Sequence, residues 1–286
     1  MAFIDNKENV MEIILTQHGR KLLNKGKLIA KYYKFFDDEV DYQATPGDDW
    51  ENDPLHIESP SDILQLHSWW HADLGVTLDP TYVSAWADQS ANANDLSQAT
   101  AGNRPLLSSL TVSGKSALHF ATARSDFLAD AALATLGSTT PAFTFFAAFE
   151  MGAVNNAFRE LMQLGSGGTW VMRTNNNAKW NMLVDGITDV AAECATTEST
   201  GNLVRLIASY SGGSNGTVSI TRNGAAPVLG SSTSAAVISA TPECRIGGRS
   251  GGFGVTDAKV RTCGIYNRVL TATEIMQLDD YLERQL

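Results

Sequence analysis

The chain has 286 residues, of which 43% are hydrophobic and 18% are charged, and its formal net charge is −10 at pH 7. This length allows one large β domain or two domains and is ample for a hydrophobic core. The acidic balance argues against a general nucleic-acid or anionic-membrane surface, because phosphate binding needs clustered Lys and Arg. The 24 glycines favour many short strands joined by polar turns.

Residues 1–58 differ from the rest of the chain and are predicted to form a small helix followed by an extended arm and linker. Thr16 can cap a helix over residues 17–25, and Gly26 can end it. Four aromatic side chains follow within five positions, and acidic residues come next. So small a segment cannot bury four rings, so they need the following domain or another chain. The candidate docking residues are Arg20, Tyr32, Tyr33, Phe35, Phe36, Asp37 and Asp38.

Charge is also unevenly distributed in this segment. Six basic residues lie between positions 20 and 34, and acidic residues dominate from 37 to 58. Two interpretations stay open, a solvated charged arm or a docking arm with opposite charge on its two halves.

No targeting or membrane-spanning segment is predicted. The N-terminus lacks the apolar stretch of a signal peptide, and no run approaches the roughly 18 apolar residues that span a bilayer. The three cysteines, Cys194, Cys244 and Cys263, are far apart and form no CxxC motif. They are interpreted as buried or half-buried thiols of a protein made in a reducing cytosol.

Residues 61–286 read as one β domain of roughly ten to thirteen short strands. The strongest strand candidates cover residues 142–150, 180–184 and 203–210. Asn223-Gly224 supplies the positive φ values that a type I′ hairpin turn requires. The fold class predicted for the chain is mainly β, a two-sheet antiparallel sandwich with the N-terminal arm and a short C-terminal helix.

The last 29 residues predict a strand, a tight turn and a helix. Val260, Thr262, Gly264 and Tyr266 alternate with Arg261, Cys263 and Ile265, which is strand periodicity. Thr271 and Glu274 have the spacing of a capping box. The apolar side chains Ile275, Leu278, Tyr281 and Leu282 then share one face of a helix of about three turns.

The order of these signals resembles the concanavalin A-like jelly rolls of the laminin G-like type. The resemblance covers residues 61–286 and is carried by WWHADLG, WADQSANANDLSQ, FTFFAAFE, VSITRNGA, RIGG and VRTCGIYNRVLTATEIMQLDDYL. It implies a two-sheet antiparallel sandwich of a family that often binds glycans or proteins and sometimes carries calcium.

The N-terminal segment resembles the start of structural proteins of tailed bacteriophages. That resemblance spans about thirty residues, from ILTQHGRKLL to YYKFFDDE. It implies a virion protein, assembled in the host cytoplasm, whose partners are other virion proteins and copies of itself.

An enzymatic role is not expected. Glycoside hydrolases of this fold use carboxylates roughly 5–9 Å apart, but no E-x-D-x-x-E pattern occurs. Glu51 and Asp53 begin it, yet His56 stands in the last position and Pro54 disfavours a central strand. His67 and His71 are interpreted as a solvated or hydrogen-bonded pair.

Glycan binding is the alternative function. Sugar sites need an exposed aromatic face beside polar loop residues, and the candidates are Asn175, Asn176, Asn177, Trp180 and Asp185. The asparagines could equally serve their turns. No cofactor or metal is expected, since the clustered oxygen ligands that calcium needs cannot be assembled from the sequence. The favoured function is a non-enzymatic phage-particle subunit, in decoration, neck or tail, and the alternative is a host-glycan adhesin.

Overall fold

We describe a computed structural model of the chain. The described residues are 56–134, 136, 141–153, 158–165, 170–184, 190–213, 216–231, 242–248 and 257–286. All of them belong to one compact unit, Pro54–Leu286. The docking residues predicted between positions 20 and 38, and the proposed division at residues 58–61, therefore stay predictions, because residues 1–55 lie outside the described part.

Within these ranges the domain contains seventeen strands, three short 3-10 helices and one α-helix. The strands are β1 Leu66–His71, β2 Val76–Asp79, β3 Tyr82–Trp86, β4 Leu96–Ser97, β5 Leu106–Val112, β6 Lys115–Phe120, β7 Leu128–Asp130, β8 Phe143–Met151, β9 Arg159–Leu164, β10 Trp170–Thr174, β11 Lys179–Val184, β12 Val190–Thr197, β13 Leu203–Tyr210, β14 Thr217–Arg222, β15 Val228–Ser231, β16 Cys244–Ile246 and β17 Ala258–Tyr266. The 3-10 helices are Pro60–Asp62, Ala101–Asn103 and Thr122–Arg124, and the α-helix, α1, is Ala272–Gln285. The strand number exceeds the predicted one because pairs such as β4 and β7 are too short to leave a period in the sequence.

All strand pairs are antiparallel and they trace two layers. One layer has the order β15-β14-β13-β8-β17-β1, and the other has the order β12-β11-β10-β9-β16-β7-β4. Strands β3, β5 and β6 connect the layers, since β3 pairs with both β4 and β5, and β6 pairs with the start of β17. The predicted mainly-β antiparallel sandwich with a short C-terminal helix is confirmed.

The core between the layers follows from the period-2 alternation of the strands. In β8, Phe143, Phe145 and Phe149 enter the main hydrophobic cluster, where each is 0% exposed. Phe146 points to the other face and joins a second cluster beneath α1. Because both faces of this strand are covered, it reads as a nearly continuous apolar run.

Strand β17 shows one departure from the predicted alternation. Val260 lies in the main core together with Cys263 and Ile265, whereas the sequence placed it on the opposite face. The cause is a β-bulge, because Val260 pairs with Phe149 and Thr262 pairs with Ala148, which leaves one extra residue between them. Beyond the bulge the predicted facing is correct, and Tyr266 lies in the cluster under the helix.

Helix α1 is held at its start by the predicted capping box. The Thr271 side chain accepts from the Glu274 N–H at 3.3 Å, and the Glu274 carboxylate accepts from the Thr271 N–H at 2.8 Å. Leu278, Tyr281 and Leu282 are buried against the β8–β17 face, as the apolar spacing predicted. The helix therefore closes the outer face of one layer.

The turn between β14 and β15 ties the sheet to this helix. Asn223 has φ 49° and Gly224 has φ 68°, which confirms the positive backbone angles expected of Asn-Gly. The Asp279 carboxylate of α1 accepts from the Gly224 N–H at 3.1 Å and from two guanidinium nitrogens of Arg205 at 3.0 Å each. The geometry is a two-pronged Arg–carboxylate contact.

Candidate functional site

The clearest concentration of polar side chains lies on the face of β9–β12 that points away from the core. Met162, Met172 and Met182 face inward on the three adjacent strands. The alternate positions place Arg173 opposite both Glu160 and Asn181, and Asn181 opposite Glu193. We call Glu160, Arg173, Asn181 and Glu193 the polar row.

A bulge sets the register of this row. Met172 pairs with Met162, but the next residue of β10, Arg173, pairs with Glu160 rather than Leu161. Leu161 is the extra residue, and it is buried in the core. Without this irregularity Arg173 would face an apolar neighbour.

Three members of the row are shielded from solvent, whereas the Glu193 side chain is 34% exposed. Glu160, Arg173 and Asn181 are 1%, 3% and 0% exposed. Arg173 Nη1 lies 4.0 Å from Glu160 Oε1, and the guanidinium carbon lies 4.2 Å from the centre of the half-exposed Phe158 ring. A buried carboxylate requires such a partner, because an unpaired buried charge costs several kcal/mol.

Glu193 is held separately at the far end of the row. Its carboxylate accepts from Asn175 Nδ2, and Lys179 Nζ lies 4.0 Å away. Glu160 and Glu193 are three strands apart, which is about 14 Å between Cα atoms at the usual strand spacing. Each carboxylate is thus held by its own partner, Glu160 by Arg173 and Glu193 by Asn175 and Lys179, rather than facing the other.

Asn181 is the residue of the row that packing does not explain. Its side-chain nitrogen and oxygen are both buried, and neither makes a hydrogen bond. Burying an unpaired amide atom costs about 1–3 kcal/mol. This carboxamide therefore leaves both a donor and an acceptor unpaired in the interior.

The predicted glycan-binding residues are not assembled as expected. Asn175 Oδ1 accepts from the backbone N–H groups of Asn177 at 2.8 Å and Lys179 at 3.0 Å, so its side chain closes the turn. Asn176 and Asn177 are exposed. The exposed aromatic face expected of Trp180 is a correction, since this ring is 0% exposed and packs edge-on against Phe149 at 5.1 Å.

Asp185, the last of the predicted glycan-binding residues, lies outside the described residues. In β11 the side chains alternate between the two faces of the sheet, and the aromatic residue, Trp180, lies on the core side. Trp170 and Trp180 flank the methionines on that inner face. A glycan role for the asparagine turn stays a prediction.

The loop after β3 has regularly spaced side chains with oxygen atoms, but its central carboxylate, Asp88, already accepts hydrogen bonds from the protein. Asp88 Oδ1 accepts from the N–H groups of Trp69 and Ser90, each at 2.8 Å. Asp88 Oδ2 accepts from Ser90 Oγ at 2.6 Å and from the Asn94 N–H at 3.0 Å. With four donors on one carboxylate, the loop is a structural staple between β1 and the residues after β3. Among the described residues no three His, Cys, Asp or Glu side chains come together as a metal site.

The remaining candidate groups are structural. His67 is hydrogen-bonded to Ser68 and to the Ala134 carbonyl at 3.0 and 2.9 Å, and His71 to Gln285 at 3.0 Å, which fits the predicted hydrogen-bonded pair. The three cysteines are free and buried, and burial raises the pKa of the Cys194 thiol to about 11. These thiols are therefore protonated and unreactive near neutral pH. Within the described ranges no helix is both long and apolar enough to cross a bilayer.

Comparison with known proteins identifies the family. Residues 125–276, more than half of the chain, match the family model described as the concanavalin A-like lectin/glucanases superfamily, of laminin G type. The chain therefore belongs to this family of antiparallel sandwiches. No curated protein matches the chain in sequence.

Solved structures agree on the fold. The sialidase of Trypanosoma rangeli in complex with the inhibitor DANA superposes with a TM-score of 0.51 at 14% identity, over 76% of this chain and 33% of that chain. A mutant of that sialidase displaying trans-sialidase activity gives 0.51 at 17% identity, with the same coverage. A GH54 α-L-arabinofuranosidase gives 0.50 at 12% identity, over 71% of this chain and 51% of that chain. This chain thus spans about a third of the sialidases, and at these identities the likeness concerns the fold alone.

Proposed function

We propose that this chain is a non-enzymatic structural subunit of a tailed-bacteriophage particle. Residues 1–58 dock it on neighbouring virion proteins, and the concanavalin A-like domain is displayed for subunit or host-surface contact. The resemblance of the first part of the chain to phage structural proteins supports the location.

The observation that supports a non-enzymatic role most directly is the polar row. Glu160 is matched by Arg173, and Glu193 by Asn175 and Lys179, at opposite ends of a four-strand span. Retaining and inverting glycosidases both need one carboxyl group as acid and a second facing the same sugar. Here the two carboxylates are held by different partners on strands three apart, which supports the non-enzymatic role.

Deleting residues 2–42 tests the docking role. We expect the shortened chain to fold, as judged by a cooperative thermal transition, and to be missing from assembled particles that take up the full chain. Normal incorporation of the shortened chain would contradict the docking role. An assay of reducing-end release from host polysaccharides tests the non-enzymatic role. Turnover that depends on Glu160 would contradict that role.

The alternative function, a host-glycan adhesin, is favoured by one specific feature. Asn176 and Asn177 form an exposed turn after β10, and a few polar side chains on such a surface are what orients a bound sugar. A glycan array with the wild-type protein and an Asn176→Ala, Asn177→Ala variant tests it, with the buried Asn181→Leu as control; unchanged binding by the turn variant would contradict the adhesin role. Trp180→Ala is unsuitable for this purpose, because it would remove a core ring.

A further inference from the structure

A groove of about 470 Å³ lies between α1 and the hairpin that joins β14 to β15. Its hairpin side is formed by Ala225, Ala226 and Pro227, and its helix side by Ile275 and Met276. The hairpin residues are exposed, and Met276 is 50% exposed. The groove is therefore an apolar surface open to solvent.

This surface is not needed to hold the helix. Leu278, Tyr281 and Leu282 already anchor α1 on the sheet, and Asp279 is fixed by Arg205 and the Gly224 N–H. Met276 lies on a different stripe of the helix. Exposed apolar grooves of this kind accept the apolar face of an amphipathic segment.

The rim at the C-terminal half of the helix is acidic. It carries Asp279, Asp280 and Glu283, and within the described ranges the cations paired with these three carboxylates are Arg205 and Arg284. The Glu283 side chain is 66% exposed although Arg205 Nη1 lies 3.5 Å away. The rim therefore keeps a net negative charge and favours a basic partner.

The chain enters the described part next to this rim. Arg284, in the last turn of α1, donates to the carbonyl of Ile57. Some fifty-five residues precede that point, and their sequence holds a segment of matching chemistry. This segment, residues 17–31, contains leucines 22, 23 and 28 interspersed with five basic residues. The sequence predicts an amphipathic helix over residues 17–25.

We propose that the groove is the receptor for residues 17–31 of a neighbouring copy of this chain. The leucines of that segment lie against Met276 and the Ala-Ala-Pro wall, and its basic side chains lie along Asp280 and Glu283. This inference rests on the proposed function, since it names the surface on which the N-terminal arm docks. Repeated from copy to copy, it is a head-to-tail contact of the kind that builds rings or filaments.

Sedimentation of the full chain over a range of concentrations tests the groove. Met276→Lys puts a like charge and a bulky chain where the basic segment would lie, and we expect it to weaken self-association at least tenfold. Leu64→Lys is the matched control, because Leu64 is 77% exposed and lies outside the groove. A full chain that stays monomeric, or equal association of Met276→Lys and wild type, would overturn the proposal.

A mixing experiment tests whether the segment of one copy binds the groove of another copy. Met276→Lys keeps the segment intact, and a Leu22→Glu, Leu23→Glu variant keeps the groove intact. Neither should self-associate, whereas their mixture should form a one-to-one complex, and absence of that complex would also overturn the proposal. Particles that take up Met276→Lys but exclude the 2–42 deletion would keep the docking role and reject the groove as its receptor.

Discussion

Replacing Asn181 by leucine should make the protein more stable. The side chain is 0% exposed and both of its amide atoms lack a hydrogen-bond partner. Each unpaired buried atom costs about 1–3 kcal/mol, so the residue lowers the free energy of unfolding by about 2–6 kcal/mol. Leucine has a similar branched shape and no polar atom to satisfy.

Part of this gain in the free energy of unfolding is offset by tighter packing. Leucine is larger than asparagine, and overpacking in a dense region costs about 1–3 kcal/mol. Leu183 and Val171 on the same face are themselves 0% exposed, so there is little room to yield. We therefore expect a net gain of about 1–3 kcal/mol, or about 2–4 °C in Tm for each kcal/mol in a domain of this size.

Urea unfolding followed by tryptophan fluorescence measures this difference. Asn176→Leu, at an exposed turn position, serves as the control and should change stability by no more than about 0.5 kcal/mol. If Asn181→Leu instead loses more than about 1 kcal/mol, the carboxamide has a partner in solution and the reasoning fails.

Two further predictions concern the closing strand and helix. Gly264→Ala should destabilise the domain by about 2 kcal/mol or more on urea unfolding, because the added Cβ would lie 2.4 Å from both the Phe146 ring and the Ser68 carbonyl; an unchanged midpoint would contradict this close approach. The Arg268 guanidinium, by its hydrogen bonds, lowers the pKa of Glu274 from 4.5 to about 2, so the carboxylate stabilises the folded state above about pH 4.5 and loses this effect as the pH falls towards 2. The stability advantage of wild type over Glu274→Gln should shrink across that window, and a constant difference from pH 6 to pH 2 would count against the ion pair.

The features that depend on neighbouring residues in sequence could be predicted. The capping box of Thr271 and Glu274 acts within one helical turn, and Asn223-Gly224 bends the chain by its own backbone preferences. The alternation of β8 and of the later part of β17 reports which face is buried, because every second side chain points the same way. These local rules were sufficient for the fold class and for the helix that closes it.

The polar row could not be read from the sequence, because it depends on strand register. Glu160, Arg173, Asn181 and Glu193 are spread over four strands, and a bulge at Leu161 decides which residues face one another. A signal was present, since each residue lies next to an inward apolar one, but it does not say which strand lies beside which. The prediction that the Trp180 ring is exposed was wrong for the same reason.

The amino-acid order by itself determined that this protein is an antiparallel sandwich with a capped terminal helix, because strand periodicity, turn chemistry and capping act over a few residues. Only the tertiary structure decided that Val260 turns inward at a bulge and that Asn181 is buried without a partner. It also decided that Met276 borders an acid-rimmed groove. Those outcomes depend on long-range pairing and packing, where one inserted residue reverses the direction of every side chain that follows.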